Sequence, residues 1–216
     1  MAISRRHRLA LLQCSAIVAC SIPAILLGIA SWQSFAGGGA PPPPLGANPV
    51  ETLERETGIW ALRLLVLSLA VTPLRRLGWK SLAPLRRTLG LAAFSYAALH
   101  LAIFVGLDLG FDFAAVAEDL QKRPYIAVGF AAFTILLALA ATSTQSAMKR
   151  LGRRWNRLHR AVYVAAGLAV LHFAWLVKAD YSEPIFYGSC IGILLAARGI
   201  HSTRLRLAGH ARAGDS

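Results

Sequence analysis

The chain has 216 residues, of which 56% are hydrophobic and 15% charged, with a formal net charge of +13. It is too apolar for one soluble domain and points to a bundle of membrane helices. Nucleic-acid binding is set aside, because the loops between the apolar stretches are too short to build a basic groove or an aromatic platform.

In chain order, the first apolar stretch runs from Leu9 to Trp32 behind Arg5, Arg6 and Arg8. A signal peptide has an apolar core of about 7–15 residues and a small-residue cleavage site; this core is longer and has no clean A-x-A, so a retained helix is expected. Gly37-Gly38-Gly39-Ala40 followed by Pro41-Pro42-Pro43-Pro44 reads as a flexible piece joined to a stiff one, an exposed linker without chemistry. Five further stretches follow, Ile59 to Leu74, Leu89 to Leu107, Tyr125 to Ser143, Ala161 to Val177 and Ile185 to Ile200. Each is near the roughly 20 residues that cross a bilayer. The expected fold is therefore all-α, a polytopic bundle of six transmembrane helices with both termini on one side. The expected division is an N-terminal helix over 1–36, a linker over 37–56, a helical core over 57–180, and a last helix with a basic tail over 181–216. No internal repeat stands out.

Charge selects the side. Arg5 to Arg8, the loop from Arg75 to Arg87, the loop from Lys149 to Arg160 and the tail from Arg198 to Arg212 carry 18 of the 23 basic residues. Short cytoplasmic loops are enriched in Lys and Arg, so both termini are expected in the cytoplasm. Nine acids, among them Glu54, Asp108 and Asp180, fall on the opposite face. Cys14, Cys20 and Cys190 lie in apolar stretches without zinc-like spacing and read as small packing residues.

His100 and His172 lie eight residues before Asp108 and Asp180, so both sit roughly 12 Å below the acidic face at about 1.5 Å per residue. A single intramembrane histidine is usually satisfied by a hydrogen bond across helices. Two at one depth, on parallel third and fifth helices beside the small residues Ala97, Ala98, Gly167 and Ala169, favour axial ligation of a haem iron. No CxxCH is present, which makes the expected group b-type haem, held by coordination alone. No carboxylate or thiol lies at that level for another metal. His159, 13 residues before His172, is a third candidate, or else an interfacial histidine solvated by headgroups. The matching place on the third helix is Arg87, which cannot ligate iron. Arg63 lies near the level of His100 and either forks onto a haem propionate or snorkels to headgroups. Trp60, Trp79, Trp155, Tyr125 and Tyr181 read as an aromatic belt. The acidic segment from Asp108 to Asp119 either guides a docking partner or is a plain solvated loop. Lys149-Arg150 and Arg153-Arg154 with Trp155 could attract an acidic flavoprotein or an FMN phosphate, although topology alone also demands those charges.

Several segments, in order, resemble the MsrQ (YedZ) family of membrane subunits. They are Thr57-Gly58-Ile59-Trp60-Ala61-Leu62, Thr72-Pro73-Leu74-Arg75-Arg76, Arg86-Arg87-Thr88-Leu89-Gly90-Leu91, Tyr96-Ala97-Ala98-Leu99-His100, Lys122-Arg123-Pro124-Tyr125-Ile126, Thr142-Ser143-Thr144 and the run from Leu151 to Arg160. The resemblance implies a ferric-reductase-like transmembrane domain carrying haem b, with His100, His159 and His172 on the family's three histidines. It also implies electron transfer to a periplasmic molybdopterin-containing, MsrP-like methionine-sulfoxide reductase. Quinol from the quinone pool, or a cytosolic flavin reductase with FMN, is the implied donor. Arg87, at the place of a fourth histidine, departs from the wider ferric-reductase pattern.

The expected function is thus an inner-membrane electron conduit, with sulfoxide reduction on the partner and lipid around the bundle. No G-x-G-x-x-G lies beyond residue 200, so the donor is expected to be another molecule. Two rivals are a stand-alone ferric or oxygen reductase and a non-redox transporter or scaffold whose histidines relay protons.

Overall fold

The computed structural model describes residues 5–36 and 45–214, and every statement below that something is absent refers to these. The linker from Gly37 to Pro44 lies outside them. The elements are α1 (Arg5–Ala36), α2 (Pro49–Arg76), α3 (Leu85–Ile103), a π-turn (Phe104–Asp108), α4 (Phe113–Lys122), α5 (Pro124–Ala141), α6 (Gln145–Leu151), α7 (Arg153–Leu158), a 3₁₀ turn (His159–Ala161), α8 (Val162–Leu176) and α9 (Ser182–Gly214). Among the described residues, six helical segments are long and apolar enough to cross a bilayer, as expected.

Several boundaries differ from the sequence expectation, each for a capping reason. α2 begins at Pro49, so Glu51 to Glu56 belong to a helix rather than to the linker. Asn48 caps it: its carbonyl oxygen accepts from the Glu51 N–H while its amide donates to the Glu51 carboxylate at 2.9 Å, and Pro49 supplies a preformed first-turn φ. The acidic segment after Asp108 is α4, nucleated by the Asp112 carboxylate, which accepts from the N–H groups of Ala114 and Ala115. The basic loop before His159 folds into α6 and α7, separated by Gly152 at φ 49°, a conformation that favours glycine. The basic tail continues α9.

α2 is the central helix, packed on α3 along its length and touching α1, α8 and α9; α5 pairs with α8. The core is built from Ile59, Leu65 and Leu69 of α2, Ala93 and Tyr96 of α3, Leu136 of α5, Ala165 and Ala166 of α8, and Tyr187 and Ile191 of α9. Ala93, Ala165 and Ala166 are completely buried, the small residues that let membrane helices approach closely. α1 instead turns Ile17, Val18, Ile25 and Leu26 outward, as a lipid-facing helix does.

One tyrosine ties α1 to this core. Pro23 lies inside α1, and beside it the Tyr96 hydroxyl accepts from the Ala24 N–H at 2.9 Å and donates to the Cys20 carbonyl at 2.7 Å. Tyr96→Phe leaves both backbone groups without that partner, so we expect a loss of about 1–3 kcal/mol in thermal unfolding of the purified protein.

Candidate haem site between the two helix hairpins

The site is made from two hairpins, α2–α3 and α5–α8. His100 of α3 leans onto α2, where its Nδ1 lies 2.9 Å from the Glu54 carbonyl oxygen. His172 of α8 leans onto α5, its Nδ1 2.7 Å from the Tyr125 carbonyl oxygen. A carbonyl only accepts, so each Nδ1 carries the proton and donates. That leaves Nε2 of both rings as the nitrogen with a free lone pair, the usual arrangement of a metal-bound histidine.

The two ring centres stand 6.3 Å apart, with the planes at 76° to each other. With metal–nitrogen bonds of about 2 Å and each nitrogen roughly 1.2 Å from its ring centre, an imidazole–metal–imidazole axis spans about 6.4 Å. The spacing therefore suits one metal ion between the rings. No group of three or more His, Cys, Asp or Glu that could hold a metal ion is present among the described residues. Two imidazoles alone do not complete a zinc site, which takes four ligands, whereas a haem brings four nitrogens and needs only two from the protein. α3 and α8 each pack on their hairpin partner and scarcely on one another. The donor set, the tautomers and the spacing all fit haem b.

Ala97 and Ala169 pack against the core, and a Cβ added at Gly167 would meet nothing within 4 Å. The rings rest instead on glycines of the neighbouring helices: Gly58 of α2 lies under His100 and Gly129 of α5 under His172.

The remaining candidates separate. Arg63 donates from Nε to the Tyr187 hydroxyl at 3.0 Å and stacks over Trp60 at 4.9 Å, so it is held inward between α2 and α9 rather than extended to headgroups. No hydrogen bond among the described residues uses its Nη atoms. His159 lies about 20 Å along the helix axis from His172. Its ring stacks on Trp155 at 3.8 Å, and its buried ring nitrogens lie near the Trp155 and Leu139 carbonyls without a well-formed hydrogen bond. Arg87 is exposed and lines a groove between α1 and α3 with Gln13 and Thr88.

Of the aromatic belt, Trp79 and Tyr181 are exposed as expected. Trp155 turns inward, donating from Nε1 to the Thr142 carbonyl at 2.9 Å and closing the end of α5. Trp60 and Tyr125 also face the interior, beside Tyr96 and His172 respectively. Arg198, read from the sequence as part of the tail, reaches inward to the Leu69 carbonyl at 3.1 Å and lies over the Tyr163 ring at 4.9 Å. Gly58, Gly129, Tyr187 and Arg198 were not singled out by sequence reasoning. A lone glycine inside an apolar helix, which signals close approach, is the one cue that pointed to the first two.

Six spanning helices around two facing histidines define a membrane protein of the ferric-reductase-like class, and residues 57–170 match the family described as "Ferric reductase like transmembrane component". Among curated proteins, the "Protein-methionine-sulfoxide reductase heme-binding subunit MsrQ" of Xanthomonas euvesicatoria pv. vesicatoria is 50% identical over 177 residues, 82% of this chain and 80% of that protein. The protein of the same name from Rhodospirillum rubrum is 46% identical over 196 residues, 90% of each. That from Herminiimonas arsenicoxydans is 48% identical over 176 residues, 80% of this chain and 81% of the relative. The chain belongs to the MsrQ family and is a multi-pass membrane protein.

Proposed function

We propose that this chain is the haem b subunit of a protein-methionine-sulfoxide reductase system, an electron conduit in the bacterial inner membrane. The observation that carries the proposal is the His100–His172 pair, 6.3 Å between ring centres, with both Nδ1 atoms engaged by backbone carbonyls. The names of its relatives, which describe heme-binding subunits of that system, support the same reading. His100 and His172 would hold a haem there, which would supply reversible one-electron chemistry. The protein itself provides the two ligands, the orientation of each ring and an apolar surround.

In this reading Arg63 pairs through its free Nη atoms with a haem propionate, and His159 is the ligand of a second haem toward the basic end. The buried ring nitrogens of His159, which make no well-formed hydrogen bond, favour that role, because a poorly satisfied buried polar group carries a desolvation cost that a ligand removes. The clustering of 18 of the 23 basic residues in the terminal segments and two loops supports a cytoplasmic location for that end. Electrons then travel outward to a periplasmic, molybdopterin-containing MsrP-like partner that performs the sulfoxide reduction. Quinol, or a cytosolic flavin reductase with FMN, supplies them from the pool or the cytosol.

The test is a reduced-minus-oxidised absorption spectrum of the purified protein with pyridine haemochrome quantification. A bis-imidazole b-type signal from the His100–His172 haem is expected, together with a second haem per chain for which His159 is the one histidine identified. One haem per chain would remove His159 from the ligand set, and a colourless protein would return the proton-relay transporter to first place. Reduction of ferric chelates by the isolated protein, without a partner, would instead favour a stand-alone reductase.

A further inference from the structure

Both histidines are held by one device used twice. Gly58 follows Glu54 by four residues on α2, and Gly129 follows Tyr125 by four on α5. In each hairpin the earlier residue's carbonyl receives the imidazole Nδ1–H, and the glycine lies beneath the ring. The repetition extends further. The fully buried Ala93 precedes His100 by seven residues, and the fully buried Ala165 precedes His172 by seven. The likeness is one of geometry rather than of residue identity, which is why no repeat is visible in the sequence.

The geometry follows from how a helix carbonyl is shared. The carbonyl of residue i already accepts from the N–H of residue i+4 and has one lone pair left. A side chain from another helix reaches that lone pair by lying across the following turn, where the Cβ of residue i+4 would project. A Cβ at Gly58 would stand 3.3 Å from the His100 Nδ1 and 3.4 Å from its Cε1. At Gly129 it would stand 2.8 Å from the His172 Nδ1 and 2.9 Å from Cε1, closer than a Cβ is found to such atoms, and 3.2 Å from Cγ.

We infer that Gly58 and Gly129 are positioning residues for the axial ligands. They admit each imidazole to its carbonyl, which fixes the Nδ1–H tautomer and presents Nε2 to iron. The inference rests on the ligand reading above, and Gly129 is the stricter of the two positions.

The experiment compares Gly58→Ala, Gly129→Ala and Gly167→Ala in the full chain purified from membranes. Apo protein is titrated with haemin, and the loaded proteins are examined by electron paramagnetic resonance and redox titration. Gly167 shares α8 with His172, but a Cβ there meets nothing within 4 Å, so its variant controls for adding a methyl group to the helix. For Gly129→Ala the expected result is about tenfold weaker haem binding and an altered low-spin signal, the usual consequence of disturbing a ligand's hydrogen-bond partner. Gly58→Ala is expected to bind haem but with a shifted low-spin signal and midpoint potential, and Gly167→Ala to match the parent protein. Gly129→Ala with unchanged affinity, resonance and potential would overturn the inference. If that variant does not accumulate, an unchanged signal and potential in Gly58→Ala would overturn it equally. A parent protein that binds no haem would instead refute the ligand reading, which keeps the two failures distinct.

Discussion

His100→Ala and His172→Ala each yield a protein that still inserts as six helices but keeps less than about a tenth of the haem held between α3 and α8. Insertion survives because alanine is the best helix former and both spans remain apolar. Haem is lost because each ring supplies one of only two protein ligands, and no other His, Cys, Asp or Glu cluster among the described residues can replace it. The check is haem per chain by pyridine haemochrome on detergent-purified variants, with membrane content followed by immunoblot. Normal haem content in both variants would exclude the pair as ligands. Loss of the protein from the membrane would mark the histidines as structural.

Ala93→Leu and Ala165→Leu each destabilise the bundle by about 1–3 kcal/mol, read as earlier thermal unfolding, while Ser at either place is tolerated. Both alanines have no exposed surface and lie in hairpin interfaces that leave no space for three further carbons. Within a bilayer the force that holds helices together is close packing of small residues rather than exclusion of water, so overfilling acts directly on association. Each alanine also lies two turns from a ligand, on the same face of its helix. Pushing α3 from α2 or α8 from α5 therefore lengthens an Nδ1–carbonyl bond as well, and haem retention falls together with stability. A variant that melts earlier yet keeps its full haem would separate the packing role from the positioning role.

Much of the fold was legible in the chain. Six apolar runs of about span length correspond to six helices, because hydrophobic length is a direct record of bilayer thickness. Helix starts were less so. Pro49 and Asn48 begin α2 ahead of its apolar run, since a cap and a first-turn proline act locally whatever the hydropathy. Asp112 likewise turns a segment read as loop into α4. In the site, the matched depth of His100 and His172 could be counted from the sequence, because rise per residue converts spacing into height. Their partners could not. Depth says nothing about rotation around the helix axis, and rotation decides that His100 meets Glu54 and Gly58 while His172 meets Tyr125 and Gly129.

The same distinction governs the charged and aromatic residues. Arg63 and Arg198 were recognisable as cations near span ends, but only the packing of α2 against α8 and α9 turns one toward Tyr187 and the other toward Tyr163 and Leu69. Trp155 had the composition of an interface anchor, yet its indole N–H closes the end of α5 and its ring stacks on His159, because the helix that carries it passes beside Thr142.

By itself, then, the sequence determined the all-α class, the number of spans, the distribution of charge between the two ends and the level of the two histidines. These are properties of segments, read along one axis. The tertiary structure alone decided the 6.3 Å separation of the rings, the protonated nitrogen of each and the glycines beneath them. Those depend on how two hairpins are rotated and pressed together, which no single helix encodes.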